Sequence, residues 1–359
     1  MTAGGRPALP RGRRLLGGVL SVALVTGVFA WFLPQFTSLS DVWSSVRGMT
    51  WGELTVLSLA AAWNLATYQF VMVSTTPGLR LRQALVSTQA TTAVSNTVLG
   101  GAAISLGLTY AMNSSWGFSR SRTSVSLLVS GLWNNFAKLG LPVLALALLA
   151  LSSPPSAARI GAGLVGLAGL VVAVVLLGGL LRSREGAERI GTTAGRIASA
   201  LRRPFGRGPV TGWERATTKF RERTALLLRA RWHWITLATL VSHLSLFLVL
   251  LLALRFVGVD GDQVSGVEVL AVFAFARLLT AVPFTPGGLG VIELALITGL
   301  AAAGGPRALV AAAVLVFRTL TYVLPIPIGI GAYLFWRHNR SWRREPNTAP
   351  RTELVPESV

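Results

Sequence analysis

Apolar stretches long enough to cross a lipid bilayer dominate this chain. A transmembrane helix needs about 20 such residues. Residues 15–33, 51–73, 125–151, 160–181, 234–257 and 309–336 each come close to that length or exceed it. Charged residues make up 13% of the 359, against about 25% in an ordinary soluble domain. An all-α integral membrane protein follows, and a disordered chain, a collagen-like repeat and a water-soluble enzyme are excluded. There is no cysteine, so the chain has no disulfide frame, thiolate zinc site or thiol nucleophile.

Two further apolar stretches are broken. Residues 83–113 contain Ser95-Asn96-Thr97-Val98-Leu99-Gly100-Gly101, and residues 267–303 contain Pro283-Phe284-Thr285-Pro286-Gly287-Gly288-Leu289-Gly290. Each leg beside a break is about 15 residues, or roughly 23 Å of helix, too short for a comfortable crossing. The breaks are uncharged and brief, so each stretch is read as a re-entrant hairpin with its tip near the membrane midplane.

Basic residues set the orientation. The net charge is +20, nearly all of it arginine, and it lies outside the apolar segments. Anionic inner-leaflet lipids explain it better than nucleic acid, for which no motif is present. Residues 1–14 form a basic cytoplasmic amino terminus, and residues 15–33 read as a retained signal anchor. Residues 182–232 form a cytoplasmic linker, with thirteen basic residues against Glu185, Glu188, Glu214 and Glu222 between 182 and 231. Ile190, Ala194, Ile197 and Leu201 share one helical face, as do Trp213, Phe220 and Leu227, which predicts interfacial amphipathic helices. Residues 337–359 form a polar cytoplasmic tail, expected to be disordered. Both termini are thus expected inside a plasma membrane.

On these sides the two halves match in inverted topology. The first repeat lies within residues 15–181, which also include the first span of the second repeat at 160–181; residues 233–336 complete the second. Thr92-Ala93-Val94 before Gly100-Gly101 echoes Thr280-Ala281-Val282 before Gly287-Gly288, and Leu141-Pro142 echoes Leu324-Pro325. Inverted repeats with broken helices are a common transporter design. Non-helical backbone at midplane must be buried in protein or line a wet cavity, so the breaks are the candidate site.

Gly287, Gly288 and Gly290 let the chain approach a ligand closely. A helix starting near Leu289 would turn its free amides toward an anion; helix packing is the plainer use of such small residues. Ionisable residues inside spans cost roughly 2.5–3.5 kcal/mol each on insertion scales. Lys138, Arg277, Glu293 and Arg318 are the four candidates. Either Glu293 pairs with Arg277 or Arg318 as a structural ion pair, or the group leaves a positive cavity for an anionic headgroup. Arg277 is also near enough to a segment end to snorkel. Asn96, Gly100 and Gly101 mark the first break. Asn64, Asn134 and Asn135 read as interhelical polar glue and His243 as a core histidine. Three scattered histidines make no metal site, and no cofactor motif is present.

The run Pro286-Gly287-Gly288-Leu289-Gly290-Val291-Ile292-Glu293, with Phe317-Arg318 and Tyr322-Val323-Leu324-Pro325, resembles the lysylphosphatidylglycerol synthase/flippase membrane-domain family. The resemblance extends from about residue 15 to residue 337 and is most specific in the Pro-Gly-Gly-Leu-Gly-x-x-Glu stretch. It implies a membrane domain that moves a phospholipid or lipid-linked headgroup between leaflets. About twenty residues follow the last span, so the soluble aminoacyl-transfer domain of bifunctional relatives is not expected. The alternative is a membrane-embedded lipid-modifying transferase, or its accessory subunit, working with cell-envelope biosynthesis partners. That enzyme would need an acid/base group in a wet cavity, and Glu293 is the strong candidate.

Overall fold

The structure is a computed structural model. It describes residues 47–98, 100–152, 213–280, 288–339 and 341–342, with scattered helical positions at 44 and between 161 and 179. The expected first span at 15–33, much of the span at 160–181, the linker up to residue 212, the Pro283–Gly287 part of the second break and the tail beyond 342 lie outside the described residues.

The described residues are helical, without strands. In chain order the helices are α1 (Trp51–Thr75), α2 (Leu81–Thr97), α3 (Gly101–Ser115), α4 (Arg120–Ser152), α5 (Trp213–Phe256), α6 (Gly266–Leu279), α7 (Val291–Ala302), α8 (Arg307–Arg318) and α9 (Pro325–His338). A π-helical turn, Thr319–Val323, joins α8 to α9, and the Leu324 amide donates five residues back to the Thr319 carbonyl. Its cause is the next residue. Pro325 has no N–H to continue the α-ladder, and its ring crowds the carbonyl four residues back. The last span, expected as one regular helix, therefore contains this bulge.

Among the described residues four helices are long and apolar enough to cross a membrane: Trp51–Thr75, Arg120–Leu151, Phe220–Phe256 and Arg307–His338. Their outer faces are apolar, with Leu59, Trp63, Phe70, Leu248, Ile330 and Leu334 all exposed, while Thr67, Gln69, Ser87, Asn113 and Ser126 are buried. Water would reverse that distribution; lipid allows it.

Helix starts follow local chemistry. Thr50 and Glu53 close a capping box at α1: the Glu53 amide donates to Thr50 Oγ1 at 3.3 Å, and the Thr50 amide to Glu53 Oε2 at 2.7 Å. Ser265 and Glu268 repeat it at α6. α5 is 44 residues long and runs unbroken through the expected linker boundary at 232. The reason is plain: no glycine or proline occurs between 213 and 256. Phe220 and Leu227, expected on a membrane-surface face, pack with Leu228 and Ile235 against Val125, Val129 and Trp133 of α4.

The core is built from crossed pairs. α1 lies along α5, α2 along α9, and α6 along α4. Asn64 Nδ2 donates to Ser245 Oγ at 2.9 Å and thereby links α1 to α5. Gly329 permits the α2–α9 contact, since a Cβ there would strike the Gln89 carbonyl oxygen and Ala93 Cβ. Both hairpins return to the end they left. The α2 start and α3 end meet α9 and the segment after it: Trp336 Nε1 donates to Ser115 Oγ at 3.0 Å and the Trp116 ring packs edge-on against Trp342. At the other hairpin, the Gln263 carbonyl before α6 sits against Gly304 just after α7.

Candidate functional site

The turn between α2 and α3 is made by Gly100, in the left-handed region at φ 70°. The next residue, Gly101, lies so close to the Val94 carbonyl oxygen that a side chain would collide with it. The turn is clamped to the π-helical segment. Asn96 Nδ2 donates to the Tyr322 carbonyl at 3.1 Å, and Tyr322 Oη donates to the Asn96 carbonyl at 2.5 Å. Tyr322 stands halfway along the 32-residue stretch Arg307–His338, so the first hairpin tip lies at mid-depth of that span.

On the other hairpin, Gly288 has φ 73° and Gly290, the N-cap of α7, has φ 81°. Gly100, Gly101, Thr280 and Gly288 all line one cavity of about 940 Å³. Both breaks thus open on the same space. Asn96 lines it too, although its amide and carbonyl are committed to Tyr322.

Among the described residues three cations face this cavity: Lys138 from α4, Arg277 from α6 and Arg318 from α8. Arg318 is 6% exposed and Glu293 2%. Arg318 Nε donates to Glu293 Oε1 at 2.5 Å, and its guanidinium lies 4.5 Å from the centre of the Tyr322 ring. Of the two pairings open to Glu293, the fold makes the one with Arg318. Glu293 sits in the first turn of α7, where its charge also complements the positive end of the helix. The chain's own carboxylate therefore occupies the helix start that the sequence suggested for an outside anion. Its second oxygen, Oε2, is buried without a hydrogen-bond partner among the described residues. Glu293 is not among the described residues that line the cavity.

Arg277 does not snorkel to the surface. It lines the cavity and a smaller pocket beside Phe317 and Thr321, and its buried Nε has no hydrogen-bond partner among the described residues. Lys138 is buried, with no carboxylate within ion-pair distance among the described residues. Among the described residues, one carboxylate against three cations leaves two positive charges, Lys138 and Arg277, without a carboxylate partner in a low-dielectric setting. Such charge is costly unless a ligand or counter-ion answers it.

The fold also brings in residues that sequence reasoning passed over. Ser87, Thr91, Thr92 and Ser95 of α2 and Ser105 and Thr109 of α3 line the same cavity. Their spacing of three and four residues along each helix was the available signal. Asn134, read as interhelical glue, lines the cavity as well, whereas Asn135 is exposed. His243 sits in the core, bonded through Nδ1 to the Thr239 carbonyl at 3.0 Å, and takes no part. Gly287 lies outside the described residues.

The lysylphosphatidylglycerol synthase TM region family matches residues 18–329 of this chain. The chain belongs to that family. The match takes in both hairpins and every cavity residue named above. A lysylphosphatidylglycerol synthase TM region with exposed apolar helices is a membrane protein of lipid biosynthesis or translocation. A comparison with curated proteins gives no match.

Proposed function

We propose that this chain is a lipid translocator of the cell membrane, which passes an anionic lipid headgroup between leaflets through the cavity where the two hairpin tips meet. The observation that carries this reading is the charge of that cavity. Lys138, Arg277 and Arg318 face it, while the one nearby carboxylate among the described residues, Glu293, is bound to Arg318 behind the wall. A headgroup phosphate answers the surplus charge, and the acyl chains stay in lipid.

The packing supports an inverted repeat. Exchanging the halves turns α2 on α9 into α6 on α4, and leaves α1 on α5 unchanged. Such pseudo-symmetry suits alternating access around a fixed site. The basic loops with Arg80, Arg82, Arg120 and Arg122 then face the cytoplasm with both termini, against anionic inner-leaflet lipids. Cell-envelope biosynthesis machinery is the partner class that would supply or use such a lipid. The transferase reading has less support, because its acid/base candidate Glu293 is ion-paired and away from the described cavity wall.

The test is reconstitution of the full chain in vesicles carrying fluorescent phosphatidylglycerol. Loss of the outer-leaflet signal on adding an impermeant quencher should exceed one half when the protein is present, and should fall back with Arg277→Ala. Equal quenching with and without protein rejects the reading, and a new covalent lipid product favours the transferase.

A further inference from the structure

We infer that the headgroup taken by this cavity is a phosphodiester bearing a neutral polyol or sugar, and that an aminoacylated headgroup is excluded. This rests on the translocation reading and narrows it to a substrate class.

Two features of the cavity carry the inference. The first is the distribution of charge. In the sequence Glu293 is the one acidic residue deep inside an apolar stretch; Glu53 and Glu268, near stretch starts, cap helices, Glu222 stands near the start of the span Phe220–Phe256, and Glu185, Glu188, Asp260 and Asp262 follow the ends of stretches. This holds for the whole sequence, including the stretches outside the described residues. Among the described residues no carboxylate lines the cavity to receive an ammonium group, and Lys138 and Arg277 stand ready to repel one. A lysyl ester would bring two amines against a single phosphate.

The second feature is the hydroxyl wall of α2 and α3. Three of its donors are already committed: Thr91 Oγ1 donates to the Ser87 carbonyl at 2.8 Å, Ser105 Oγ to the Thr91 carbonyl at 2.7 Å, and Thr109 Oγ1 to the Ser105 carbonyl at 2.9 Å. What these hydroxyls offer the cavity is oxygen lone pairs. Lone pairs match the O–H donors of a polyol, and they have nothing to give a bare phosphate, which only accepts. The amide of Asn134 adds a mixed donor and acceptor. The cations come from α4, α6 and α8, so phosphate and polyol are received by different elements. About 940 Å³ has room for both.

The experiment runs the full-length protein in vesicles with five fluorescent lipids: phosphatidylglycerol, phosphatidylinositol, a polyprenyl-phosphate hexose, phosphatidic acid and lysylphosphatidylglycerol. The same lipids are scored by thermal shift of the detergent-solubilised protein. A site built for hydroxyl groups should prefer at least one of the first three over each of the last two by about tenfold or more. Which of the three leads separates a glycerol or inositol phospholipid from a lipid-linked sugar. Thr91→Val with Ser105→Ala should erase the preference over phosphatidic acid, and Lys138→Gln should weaken all the anionic lipids together. Movement of lysylphosphatidylglycerol or phosphatidic acid as fast as the polyol lipids overturns the inference and leaves translocation standing. If no lipid moves, the translocation reading fails, and the thermal shifts alone decide the specificity: the same ranking supports it, and equal shifts overturn it.

Discussion

Glu293 and Arg318 form a buried pair whose halves are not equivalent. Arg318 touches the cavity, and Glu293 does not. Glu293→Gln leaves a buried guanidinium without its counter-charge, a change that costs about 3–5 kcal/mol in comparable settings. The expected result is a marked drop in melting temperature in neutral detergent. Anionic lipid should then raise that temperature more than it does for the unmodified protein, because the guanidinium, relieved of Glu293, now prefers an outside anion. An equal lipid effect in both proteins would argue that Arg318 does not meet the ligand. Lys138 presents the opposite case. It has no carboxylate partner to lose among the described residues, so Lys138→Met should recover part of the roughly 2.5–3.5 kcal/mol that burial of a charge costs. Melting temperature should rise while movement of anionic lipid falls. A variant that is less stable and fully active would show that Lys138 is structural.

At the scale of elements, the contact between α2 and α9 decides where the first hairpin tip is held. Gly329 leaves no space for a side chain against Gln89 and Ala93. Gly329→Val must push the helices apart, and overpacking of this kind costs about 1–3 kcal/mol. The Asn96–Tyr322 clamp lies two helical turns away on the same pair of helices, so transport should fall more steeply than stability. Comparing Tyr322→Phe, which keeps the ring and removes the hydroxyl bonded to Asn96, checks the route: transport loss in both variants, with near-normal melting for Tyr322→Phe, is the expected pattern. The long helix α5 makes a related point. Its basic first half looked like a surface helix by periodicity, and Phe220 and Leu227 do share a face, but that face meets α4. Periodicity reports that a stripe is apolar; it does not say whether lipid or protein covers it.

For the molecule as a whole, the reading requires two hairpins that enter from opposite sides and meet inside. The natural absence of cysteine makes every single-cysteine variant a clean probe. Cysteines replacing Gly117 and Asp260 should be labelled fast by an impermeant maleimide, each from its own side of the membrane. Cysteines replacing Gly100 and Gly288 should be labelled slowly and be protected by anionic lipid. Rapid labelling of these two from opposite aqueous faces would mean that the hairpins cross fully, and the shared cavity would lose its role.

Much of this arrangement could be read along the chain. Whether a segment is helical and lipid-compatible depends on its own composition, so the spans at 51–73 and 125–151 and both breaks were visible as runs of apolar residues and as clusters of glycine and proline. The scarcity of mid-span charge likewise marked Lys138, Arg277, Glu293 and Arg318 before any coordinates. Partnership was not visible in the same way. Glu293 had two arginines within reach of sequence logic, and Asn96 finds Tyr322 across 226 residues. The hydroxyls of α2 and α3 face a cavity that exists only because α2 lies on α9 and α6 on α4. Local composition governs the backbone because its hydrogen bonds close within a few residues; the site depends on which helix faces pack together, and that is settled by contacts between segments far apart in the chain.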